Sequence, residues 1–339
     1  MSSLHYYLNH SDLISTVSVS VPDSRIAKDD IHERDSPSTR QRRQSSSSCS
    51  GSITIISQSD VDNSPIASCT SFVGDIILDE ARGNISFLTD APIGLTALDG
   101  SIYCRNNAAL QNLNLYSLTS ISGSIVVDNA GTLFSLSGDQ LDYVQAVQIT
   151  AVPEFRYLYI PEVKWLESLE IGGSPMTAEN LADSEGLRLE SVGSLYIHDC
   201  FNNFSLDLLP LQNITESLIF EDNGPNSGLN LDILWANNIT LRNVHGFSFE
   251  KMVAVNNSFE ISNSDNLTTI AFESLDFIGG SFYIQNNPNV EYIGINSLKT
   301  IGESFVMTDN PALKVPAFGI SNALQNVASM DFVGPFISL

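Results

Sequence analysis

Basic side chains are scarce in this sequence: 15 Lys and Arg stand against 39 Asp and Glu over 339 residues, a net charge of −24. Phosphate binding needs a basic surface, so nucleic acid is excluded as a partner class. Long apolar runs are also missing. No stretch of about 18 apolar residues could span a bilayer as a helix, and the folded part is expected to be soluble. Histidine and cysteine are few, with five and four copies. After residue 48 only His198 and His245 remain, and neither has a His or Cys partner at zinc-like spacing, so no metal site and no cofactor are expected. A nucleophile with its base and a Gly-rich phosphate loop are equally absent at motif-level spacing.

What the sequence does contain is a phrase repeated from Cys49 onward: a small polar residue, then apolar, any, apolar, and an Asn shortly after. Its clearest copy is Ser281-Phe282-Tyr283-Ile284-Gln285-Asn286-Asn287. Taking the first apolar residue as a marker, the copies begin at Ile53, Ile76, Ile102, Ile125, Val147, Leu169, Leu195, Leu218, Ile239, Phe259, Phe282 and Phe305, in steps of 20 to 26 residues. A period near 23 lies in the range of leucine-rich and related solenoid repeats. The position two residues past each marker is apolar throughout, from Ile55 and Leu78 to Ile284 and Met307. Such alternation predicts a short strand with one buried face in every coil. A second apolar template follows in each coil, as in Leu110, Leu113, Leu115, Leu118 and Ile121. No helix of ordinary length fits between the two. The fold class is therefore all-β, a right-handed parallel β-solenoid of about 23-residue leucine-rich-like coils.

The domain organisation follows from the repeat: residues 1–48 form a disordered tail containing Ser and Arg, and residues 49–339 form one solenoid. A thirteenth copy, Ser329-Met330-Asp331-Phe332, precedes the final residues. No polar capping coil follows it, so the C-terminal cap is expected to be missing. At the other end Cys49 and Cys69 bracket the first coil and are assigned to a disulfide, which implies an oxidising compartment. Cys104 holds an inward position and is expected to be a buried thiol, whereas Cys200 follows a strand at a turn with no evident partner.

Asn recurs four or five residues after the marker, at Asn106, Asn129, Asn223, Asn243, Asn263, Asn287 and Asn310, and is expected to form one stacked ladder satisfying turn backbone groups. Ser recurs before the marker and, like the residues one and three places after it, should face outward. That outward surface supplies the candidate binding face: Tyr103, Arg105, Tyr196, His198, Glu221, Arg242, Tyr283 and Gln285. Tyrosines there could stack on sugar rings or anchor a protein, although Tyr also suits any exposed strand. The carboxylates Asp79, Asp128, Glu170, Glu221 and Glu260 on the same face are the candidates for a polysaccharide-cleaving alternative, against the plainer reading as solvated surface charge. Sequons stand at Asn84, Asn203, Asn213, Asn238, Asn256 and Asn266, with another at Asn9; together with the paired cysteines they mark a secreted glycoprotein.

The run Leu234-Trp235-Ala236-Asn237-Asn238-Ile239-Thr240-Leu241-Arg242-Asn243-Val244, the Cys49 to Cys69 opening and the Gly-Ser-Phe-x-Ile-x-x-Asn phrase together resemble one family. It is the fungal GPI-anchored cell-wall organisation and sporulation-specific glycoproteins, related to the receptor L domain. The resemblance implies a non-catalytic protein of the cell surface or wall, whose partners would be wall glycans or mannoproteins. It carries over the cap cysteines and the sequons and no catalytic residue. Members begin with a signal peptide and end in a Ser/Thr-rich stalk and anchor signal. Neither is seen in this sequence, so contact with a membrane would run only through an anchor that it does not show.

Overall fold

A computed structural model of the chain describes residues 49–87, 94–173, 186–200, 205–208, 210–225, 227–313 and 329–333. The tail expected over 1–48 lies outside them, as do Asn9, Asn203 and the segment in which a C-terminal cap would be sought. Over the described residues the chain winds as a parallel β-solenoid.

Each marker residue pairs with the marker of the next coil. Ile53 is opposite Ile76, Ile76 opposite Ile102, and the series runs without a slip through Phe282 and Phe305 to Met330. The reason is the burial pattern. Residues at the marker and two places beyond are almost all fully buried, so a shift by one residue would turn the whole apolar set of a strand into water. These strands, with a second set just upstream of them, make one 18-stranded parallel sheet. In the middle coils the two sets fuse into single longer strands, such as Ser191–His198, Asn213–Glu221 and Trp235–Arg242. Where they stay separate, as in the last coils, a glycine marks the break: a Cβ on Gly302 would lie 2.0 Å from the carbonyl oxygen of Gly279 in the coil below, a contact no side chain could make.

The second apolar template builds the opposite wall. Ala109–Asn114, Ser135–Ser137 and Tyr157–Tyr159 stack with Arg82–Ser86 into a four-stranded parallel sheet, and Thr269–Ala271 pairs with Tyr292–Gly294 further along. Between the walls lies one continuous apolar column. In its last part it becomes aromatic: Phe259, Phe282 and Phe305 stack at centroid distances of 5.1 and 5.3 Å, with Phe272 set edge-on to Phe259 at 5.1 Å.

The first coil differs from the rest. Cys49 and Cys69 form the expected disulfide, with Cα atoms 5.9 Å apart. Between them a six-residue helix, Gln58–Asn63, and a 3₁₀ turn, Pro65–Ser68, lay Val61 and Ile66 over the open end of the core. The repeat phrase gave no sign of this helix. Its start is fixed by Asp60, whose carboxylate accepts hydrogen bonds from the backbone N–H of Ile56 and Ser57 and from the Ser57 hydroxyl. Those donors hold the Asp60 carboxyl below its ordinary range.

Candidate functional site

Strand alternation turns the residues one and three places after each marker outward, which makes two parallel rows across the main sheet. The eight residues of the candidate face all lie in these rows, but the coils divide them into three groups. Tyr103 and Arg105 stand beside Ile77, Asp79, Val126 and Asp128 of the adjoining coils. Tyr196, His198, Glu221 and Arg242 lie on three successive coils further on. Tyr283 and Gln285 stand beyond Glu260 and Ser262.

The central group is a closed polar network. His198 contacts Asp199 through Nδ1 at 2.9 Å and Glu170 through Nε2 at 3.3 Å, and its ring stacks on Tyr196 at 4.1 Å. It reaches Glu170 because the coil below carries Gly172 at the matching place; a Cβ there would sit 2.1 Å from His198 Nε2. The Tyr196 hydroxyl donates to Glu221 at 2.8 Å. Burial, then that carboxylate acceptor, push the Tyr196 phenol up to about 12. Arg242 closes the chain, donating from Nε and Nη2 to the two oxygens of Glu260 at 3.0 and 3.1 Å and from Nη1 to Glu221 at 3.4 Å. This fork-to-carboxylate geometry holds the Glu260 carboxyl below its ordinary value. A general acid for glycoside cleavage needs the opposite shift, and two of the five candidate carboxylates, Glu221 and Glu260, are spent on one guanidinium. A third, Asp128, accepts a hydrogen bond from Thr150 at 2.8 Å.

Asn proves to be two ladders rather than one. The residue four places after the marker adopts a left-handed backbone in coil after coil, with φ near +50°, and is exposed or half-buried: Asn106, Asn129, Asn243, Asn263 and Asn286 occupy it. Short polar residues tolerate that conformation best. Their amides bond along the stack, Asn129 to Asn106 at 3.0 Å and Asn286 to Asn263 at 2.7 Å. One residue later stand the buried amides Asn107, Asn223, Asn287 and Asn310. Asn287 shows their work: its Oδ1 accepts from the N–H of Ser264 and its Nδ2 donates to the carbonyl of Ile261, both in the coil below. Asn223 does the same for Cys200 and Ile197, and Asn107 for Ala81 and Leu78. The expected single ladder merged both registers and omitted Asn107; the signal that separates them was the paired Asn106-Asn107 and Asn286-Asn287.

Of the sequons, Asn84, Asn256 and Asn266 are exposed, and Asn213 and Asn238 are half-buried. The Asn266 amide contacts His245 Nε2 at 2.9 Å, and Asn238 Nδ2 donates to the Glu216 carbonyl at 3.0 Å. Cys104 and Cys200 are buried free thiols, both pushed up to about 12 chiefly by burial. Among the described residues no group of three His, Cys, Asp or Glu is placed to hold a metal ion, and no helix is long and apolar enough to cross a membrane.

Residues 227–323 match the family model of the receptor L domain. That stretch includes the Leu234 to Val244 run and the aromatic column. The chain is 31% identical over 198 residues to Protein ecm33 of Aspergillus fumigatus, covering 58% of this chain and 47% of that one. It is 26% identical over 203 residues to the cell surface GPI-anchored protein ECM33 of Candida albicans, covering 59% and 47%. The cell wall mannoprotein PST1 of Saccharomyces cerevisiae is 26% identical over 210 residues, covering 61% and 44%. The chain is a homologue of the fungal ECM33 and PST1 cell-wall proteins. It spans about half the length of these relatives. Kinship with ECM33 and PST1 supports an extracellular location at the wall or cell surface, in agreement with the disulfide of the first coil. No solved structure matches the chain.

Proposed function

We propose that this chain is a non-enzymatic surface glycoprotein that supports fungal cell-wall organisation and integrity, its residues 49–339 acting as one solenoid domain. The observation that carries the reading is the kinship with ECM33 and PST1, the latter named as a cell wall mannoprotein. The face itself supports the non-enzymatic part. Its central set of ionisable groups is linked internally, Glu170 to His198 by an ion contact, His198 to Tyr196 by ring stacking, and Tyr196 through Glu221 and Arg242 to Glu260 by hydrogen bonds, which suits a rigid scaffold. Wall glycans or mannoproteins are the proposed partners, and Asn84, Asn203, Asn213, Asn238, Asn256 and Asn266 the proposed glycan acceptors.

Deleting the gene tests the reading. Cells lacking it are expected to become sensitive to wall-perturbing dyes, and the full-length gene should restore resistance. Resistance equal to that of the parent strain contradicts a role in wall integrity.

A further inference from the structure

Arg242 and Arg105 occupy equivalent outward positions, each with a carboxylate in a neighbouring coil, and they behave differently. Arg242 bonds to Glu221 and Glu260. Arg105 has Asp79 and Asp128 at the matching places of the coils on either side, yet among the described residues it makes no ion pair with either. Its guanidinium is instead laid on the Tyr103 ring, 4.7 Å from the centroid. This fixes both side chains while leaving the N–H donors unspent. The Asp79 carboxylate and the Tyr103 hydroxyl likewise have no hydrogen-bond partner among the described residues. Ile77, Asp79, Tyr103, Arg105 and Asn106 line a shallow depression here. One row over, Ile77, Tyr103 and Val126 form a half-buried apolar strip running from coil to coil.

We propose that this depression binds a neutral oligosaccharide of β-linked, all-equatorial pyranoses. An apolar strip flanked by a few preorganised polar groups is the usual make-up of a small-ligand site. All-equatorial rings present flat C–H faces to such a strip, whereas an axial hydroxyl would stand against it. Arg105 donates and Asp79 accepts, and vicinal sugar hydroxyls can answer both. The strip advances by about 4.8 Å per coil, so it accommodates a run of sugars along the stack. With 33 acidic residues against nine basic ones after residue 48, an anionic sugar would be repelled. The inference rests on the wall reading only for the source of the glycan.

Calorimetric titration of the purified full-length protein with laminarihexaose, a linear β-glucose oligomer, tests it, with a linear α-mannose oligomer as comparator. Binding of laminarihexaose is expected, weakened on the order of tenfold or more by Tyr103→Ala and by Asp79→Asn, and unchanged by Tyr292→Ala, an exposed tyrosine of the opposite wall. Asp79→Asn keeps the shape of an exposed residue, so it reads the site even if Tyr103→Ala fails to fold. Lack of binding, equal affinity for the mannose oligomer, or binding that Asp79→Asn leaves intact would overturn the proposal. Dye sensitivity of the deletion strain is a separate readout, so the wall reading can stand or fall independently of this site.

Discussion

Asn286 and Asn287 are adjacent in sequence and do opposite work. Asn286 is exposed with φ at +54°, whereas Asn287 is buried and satisfies a donor and an acceptor in the coil below. Replacing Asn287 by Ala leaves both groups buried without partners, and at about 1–3 kcal/mol each the loss of stability should be about 2–6 kcal/mol. Asn286→Gly should be close to neutral, because glycine accepts the left-handed backbone. Denaturant melts of the two variants measure the contrast; equal destabilisation would contradict it. Glu260 adds a pH dependence at the same scale. Its carboxyl lies below the ordinary value of 4.5 in the folded chain, chiefly through the Arg242 hydrogen bonds. The stabilisation is therefore complete above that value and is lost as pH falls through the depressed one. Arg242→Ala should make stability less steeply dependent on pH below 4.5. An unchanged acid limb in thermal melts would show that the pairing is weak in solution.

At the scale of the element, the apolar column sets the register and the outward rows do not. Phe282 lies between Phe259 and Phe305 in the aromatic stack, and Phe282→Ala should cost about 3–5 kcal/mol by opening a cavity between coils that cannot close. A drop under about 1 kcal/mol in the same melts would mean that the stack relaxes around the gap. The distinction also explains what could be read from the sequence. Every marker from Ile53 to Phe305 and every inward residue two places on stands where the period placed it, because burial is encoded residue by residue. The bonds of the outward rows were not legible. That His198 reaches back to Glu170 depends on the absence of a side chain at Gly172, a residue of another coil. That Arg242 pairs with acids while Arg105 lies on a tyrosine depends on side-chain rotamers, which periodicity does not carry. The helix Gln58–Asn63 was missed because its signal is a local Ser57 to Asp60 cap rather than a repeat.

For the whole molecule, coil stacking makes stability a sum of neighbour contacts, and the disulfide of the first coil secures one end of that stack. Closing a loop of about 20 residues stabilises the folded state by about 3 kcal/mol in the loop-entropy account. Both the disulfide and the sequons have value only in an oxidising, glycosylating compartment, and the kinship with ECM33 and PST1 points to the same place. The central claim, a secreted glycoprotein scaffold, is tested most directly by expressing the tagged full-length chain in a fungal host. Its electrophoretic mass is then compared before and after enzymatic removal of N-glycans. The protein is expected in the wall or medium fraction, with a fall in mass on deglycosylation. A cytosolic product whose mass does not change would contradict the glycan, disulfide and wall roles together.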